Sequence, residues 1–85
     1  MSRYRVEVRV MPRAALLDPQ GQAVEHALHP LGFGEVGRVR VGKHLVVEVM
    51  AATHDEAMAQ VRTMCDRLLA NPVIEDYELA VEAAR

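Results

Sequence analysis

Four histidines, one cysteine, one serine and an adjacent carboxylate pair are the groups in this 85-residue chain most capable of chemistry. His26 and His29 lie three apart and would reach one face of a helix. A metal needs further ligands of fixed position, and neither His44 nor His54 stands at a spacing that supplies one. Solvated surface imidazoles account for all four. Cys65 is the only cysteine, which excludes an internal disulfide and a Cys-x-x-Cys metal carrier. It falls in an apolar helical stripe, where a thiol acts as a small core side chain. Ser2 is the only serine, so no serine nucleophile motif exists. Glu75 and Asp76 are neighbours on a predicted strand and point to opposite faces, which prevents shared acid and base work. Gly32 and Gly34 flank Phe33 with no helix behind them, so they do not form a phosphate cradle. From the residues themselves we expect no catalytic residue, no metal and no cofactor.

Composition narrows the field further. Hydrophobic residues make up 51% and charged residues 26%, the proportions of a folded domain. The net charge of −2 gives no basic surface for nucleic acid or an anionic membrane. The longest apolar candidate, Leu45 to Ala52, is far short of a membrane span and is broken by Glu48. No secretory leader core follows Met1, so the expected location is the cytoplasm. At this length the chain makes one domain, residues 1–85. Surface scaling gives about 5,000 Å² for its folded surface. Burial contributes about 125 kcal/mol by area, and ordering the chain costs about the same. Association with a copy or a partner would tip that balance.

The elements follow from periodicity. Tyr4, Val6, Val8 and Val10 alternate with Arg3, Arg5, Glu7 and Arg9, which predicts a half-buried strand ended by Pro12. Asp18-Pro19 starts a helix with a capping carboxylate and a proline at the first helical position. Its apolar stripe is Ala23, Val24, Ala27, Leu28 and Leu31, and Pro30 and Gly32 stop it. Val39 and Val41 belong to a second strand starting near Val36, and Leu45, Val47 and Val49 to a third. Gly42-Lys43 between them fits a two-residue hairpin, with glycine at positive φ. Thr53 and Glu56 form a capping box. The helix they begin should bury Ala57, Met58, Val61, Met64, Cys65, Leu68 and Leu69. Asn71 is placed to take the left-handed conformation beyond it, and Pro72 prevents continuation. Tyr77, Leu79 and Val81 form a last strand.

The order β-α-β-β-α-β predicts a ferredoxin-like α+β fold. Its antiparallel sheet would have four strands in the order 4-1-3-2, with both helices on one face. Outward charges then alternate in sign across the strands, Glu7 excepted. An RNA-binding version of the fold needs aromatic residues on the open face, and Tyr4 and Tyr77 share the phase of the core.

Three segments are more specific. LDPQG at Leu17–Gly21 runs into AVEHAL from Ala23; VRVGK spans Val39–Lys43; MCDRLLANPVIEDYE spans Met64–Glu78. In order and spacing they resemble the PurS family, the small subunit of phosphoribosylformylglycinamidine (FGAM) synthase. The resemblance covers nearly the whole chain. It implies a non-catalytic subunit in purine biosynthesis that joins a PurL-type ATP-dependent synthetase to a PurQ-type glutaminase and assists ammonia transfer. It also implies a homodimer or homotetramer. A small-molecule sensor of the ACT type shares the fold and is the competing reading. An acylphosphatase-like hydrolase would need an arginine in a glycine-rich first loop, and Arg13 precedes two alanines instead.

In the expected topology, the loop portions of these segments share one end of the domain. Asp18, Gln20, Gly21, Gly42, Lys43 and Asn71 are therefore the candidate partner-contact residues. Gln20 and Lys43 stand out because neither turn chemistry nor packing requires them. Asn71-Pro72 is also a hinge through which the last strand could be exchanged between copies.

Overall fold

The computed structural model describes residues 1–83. Strand β1 (Ser2–Pro12) is followed by helix α1 (Pro19–Leu28) and a 3-10 turn at His29–Leu31. Strand β2 (Lys43–Ala51), helix α2 (His54–Met64), a wide π-helical turn at Cys65–Leu69 and strand β3 (Glu75–Ala83) complete the order. The sheet is antiparallel, with β1 between β2 and β3.

The alternation in β1 sets the core. Val6, Val8 and Val10 are fully buried beneath α2, which contributes Ala57 and Val61, and the π turn after it, which contributes Cys65. Tyr77, Leu79 and Val81 of β3, and Leu45 and Val47 of β2, pack around them half-buried. The outward residues form a charge ladder: Arg5 to Glu82 at 2.6 Å, Arg9 to Glu78 at 3.5 Å and Arg13 to Asp76 at 3.8 Å. Glu7, the exception in the sign pattern, sits 3.4 Å from Arg5 and 3.8 Å from His44. Burial pushes the Cys65 thiol pKa up, which matches its reading as a core side chain.

Local signals hold at the helix starts. The Asp18 carboxylate accepts the Gly21 amide at 3.0 Å. Thr53 Oγ1 accepts the Glu56 amide at 3.1 Å, and Glu56 reaches back to the Ala52 amide at 3.2 Å. Gly32, at φ 102°, ends the 3-10 turn.

Four expectations are corrected. Residues 36–42 form no strand among the described residues, so the sheet has three strands rather than four. Helix α1 packs against the turn that follows it, whereas α2 covers all three strands; the two helices do not share the sheet face. Asn71 does not take a positive φ. The backbone instead extends at Ala70, and Asn71 Oδ1 accepts the Val73 amide at 3.0 Å. Leu68 is 81% exposed, because the π turn widens the helix and brings Leu69 rather than Leu68 onto the core. In this single chain β3 pairs with its own β1, with Val10 opposite Tyr77.

Candidate functional site

The missing strand explains the site. Residues 36–42 run as a strap across the end of β1 and the start of α1, held by side chains on the backbone. Asp18 is the central pin: besides capping α1, its other oxygen accepts the Val41 amide at 2.7 Å. Those two hydrogen bonds, Val41 first and Gly21 second, hold its carboxyl pKa below the usual value. Arg38 donates to the Leu16 carbonyl at 3.1 Å, and Arg40 donates to the Pro12 carbonyl. His29 Nε2 lies 3.0 Å from the Val36 carbonyl oxygen and anchors the near end of the strap.

Two glycines permit this contact by lacking a Cβ. A Cβ on Gly21 would collide with the Val39 carbonyl oxygen, and one on Gly42 with the Val10 carbonyl oxygen and Met11. Gly42 was expected to supply positive φ for a hairpin, yet only Gly32 has positive φ among the described glycines. The reason for glycine at 42 is close approach of one backbone to another.

The turn before β3 joins the same end. The Arg13 amide donates to the Ile74 carbonyl at 2.9 Å and its guanidinium to the Pro72 carbonyl at 2.6 Å. All three specific segments therefore meet around the last residues of β1. Asp18, Gly21 and Gly42 are joined there by direct contact, and Asn71 lies in the neighbouring turn. Gln20 and Lys43 are exposed at that end and make no side-chain hydrogen bond among the described residues. Sequence reasoning missed Arg13, Arg38 and Arg40 as pins. Alternating arginines beside valines carry the signal of an outer strand face, and nothing in that pattern distinguishes a pin from a solvated charge.

An open cleft of about 470 Å³ lies beside the strap, lined by Leu16, Leu17, Asp18, Gln22, His26 and Arg38 among others. Two of its polar groups are turned to structural tasks: Asp18 holds amides and Arg38 holds a carbonyl. No nucleophile faces His26 or Glu25 across it. The arrangement can hold loops and present a surface, and it does not assemble a nucleophile with a base.

Comparison with known proteins agrees in one direction. The family described as PurS, phosphoribosylformylglycinamidine (FGAM) synthase, matches residues 5–83. The PurS subunit of that synthase from Bacillus subtilis is 46% identical over 79 residues, 93% of each chain. Among solved structures, Thermus thermophilus PurS is 40% identical with a TM-score of 0.82, covering 98% of this chain and 99% of that one. A chain in the structure of PurLQS from Thermotoga maritima is 32% identical with a TM-score of 0.87, covering 96% and 100%.

Proposed function

The chain belongs to the PurS family of phosphoribosylformylglycinamidine synthase subunits, and from that premise we propose how it serves the synthase. It acts in purine biosynthesis as the non-catalytic small subunit, one domain over residues 1–85. It joins a PurL-type ATP-dependent synthetase to a PurQ-type glutaminase and assists ammonia transfer between them. The observation that carries this is the end-to-end fit to a chain of the PurLQS assembly. The site supports it physically, since Asp18, Arg38 and Arg40 lock loops together and so shape a surface. Among the described residues no helix is long and apolar enough to cross a membrane, which is compatible with work in the cytoplasm.

The subunit acts as a homodimer or homotetramer. The four-stranded, ferredoxin-like sheet belongs to that assembled state, because residues 36–42 have a strand's alternation and lack only a neighbour. The end of the molecule that carries Gln20 and Lys43, with Asp18, Gly21, Gly42 and Asn71 shaping it, is the surface offered to a neighbouring subunit.

The test is reconstitution. The purified chain alone should show no glutaminase, ATPase or ligase turnover. Added to the synthetase and glutaminase subunits, it should restore the glutamine-dependent synthesis that the pair lacks. Turnover by the chain alone, or full glutamine-dependent activity without it, overturns the assignment.

A further inference from the structure

We propose that the open cleft beside the strap binds a free α-amino acid with an uncharged side chain, its ammonium on Glu25 and its carboxylate on Arg38. The site goes beyond the subunit role above and does not depend on it. It starts from a carboxylate without a partner. Among the described residues four carboxylates are half-buried: Glu7, Asp18, Glu25 and Glu75. Glu7 lies beside Arg5 and His44, Asp18 accepts two backbone amides, and Glu75 accepts the Asn71 amide at 2.7 Å. Glu25 alone has neither a hydrogen bond nor an ion pair among the described residues. A shielded carboxylate gives up hydration and gains nothing in return until a cation arrives.

The strap supplies the opposite charge. Arg38 uses one N–H on the Leu16 carbonyl at 3.1 Å. It makes no ion pair among the described residues, so its other donors remain for a ligand. Glu25 and Arg38 both line the cleft of about 470 Å³ and do not pair with each other. An acid and a base held apart in one cleft match a ligand that carries both charges itself. The volume falls among small-molecule sites, about 300–1,000 Å³. Leu16 and Leu17 give the cleft an apolar side for the ligand's side chain, and Gln22, on the Glu25 face of α1, adds an amide.

Charge balance sets other small ligands aside. Asp18 and Glu25 outnumber the single guanidinium of the cleft, which repels a phosphate or a nucleotide. The start of α1, where a helix would seat an anion, is already occupied by the Asp18 carboxylate on the Gly21 amide. A simple amine leaves Arg38 unanswered, and a simple carboxylate leaves Glu25 unanswered. A zwitterion answers both. Because Glu25 belongs to α1 and Arg38 to the strap, the bound amino acid ties the two together beside the Asp18 pin.

Chemical-shift titration of the full, isotope-labelled chain tests this, with L-leucine and L-glutamine as probes. Either should shift the amides of residues 22–26 and 38–39 saturably, with a dissociation constant of about 1 mM for so small a ligand in an open site. Glu25→Gln breaks no hydrogen bond of the fold and should weaken binding about tenfold, the loss of one charge-assisted contact. N-acetyl-L-leucine has no ammonium, so it should bind the parent about tenfold more weakly than L-leucine and bind parent and variant alike. Absence of a saturable shift overturns the site, and so does equal binding of L-leucine by parent and Glu25→Gln. Inorganic phosphate producing the same shifts would make the cleft an anion site and overturn the zwitterion. If these amides respond only when a partner subunit is added, the cation for Glu25 belongs to a protein, and the amino-acid site is equally overturned.

Discussion

Asp18 shows how a single side chain can hold two elements in register. Its carboxylate caps α1 through the Gly21 amide and fixes the strap through the Val41 amide, and both bonds require the charged form. Because its pKa is lowered in the folded chain, its contribution is fully present above the unfolded value and is lost as pH falls through the folded one. The unfolded value is about 3.9. Thermal unfolding of the parent and of Asp18→Asn, followed from pH 7 to pH 3, should show a gap in Tm at neutral pH that narrows below about pH 4. A gap independent of pH would mean that the carboxylate charge is not what holds the strap. The two glycines make a second test at this scale. Gly21→Ala and Gly42→Ala each force a Cβ into a backbone carbonyl, and each should destabilise the chain by about 1–3 kcal/mol. Gly32→Ala meets no neighbour, and its penalty arises only from its φ of 102°.

Among the elements, β1, β3, both helix starts and the buried stripe of α2 were legible, because each is written in a local pattern with a single physical reading. The period of two in Tyr4–Val10 admits only a strand, and Thr53 with Glu56 only a helix start. The strap was not legible, since Val39 and Val41 alternating with arginines satisfy the same pattern whether or not a neighbour exists. What decides it is Asp18, twenty-three residues from the amide it holds, and no local window contains both. Leu68 was misread for a related reason: an ideal 3.6-residue period puts it on the core, and the π turn at Cys65–Leu69 adds enough backbone to rotate it out. Leu68→Ser should therefore change stability by less than about 0.5 kcal/mol. Val61→Ala, at a fully buried position of the same helix, should cost about 1.5–3 kcal/mol. Chemical denaturation of the two variants checks both. Equal costs would place Leu68 back in the core. Of the candidate site, the gathering of the three segments at one end was legible, because topology alone brings those loops together. The pins that bind them were not.

For the whole molecule, the question is which surface meets a neighbour, and the distribution of constraint is what supports the proposed end. Asp18, Gly21 and Gly42 are each held by contacts inside the chain, so their identity is explained without any partner. Gln20 in the first turn of α1 and Lys43 at the start of β2 are exposed and have no such explanation. They stand on the rim where hydrogen bonds tie strap, loop and turn to the end of β1, and a backbone held in that way loses less entropy on docking. Substituting either by alanine leaves every pin in place, so Lys43→Ala and Gln20→Ala should unfold within about 0.5 kcal/mol of the parent. They should nonetheless require more subunit to restore glutamine-dependent synthesis in the reconstituted system, and the loss at Lys43 should grow smaller as salt is raised, since a screened charge has less to contribute. Measuring subunit titrations at low and high ionic strength separates this from a folding defect, which salt would not relieve in the same way. If both variants titrate like the parent at low salt, the neighbour docks elsewhere, and the rim serves only to hold the strap.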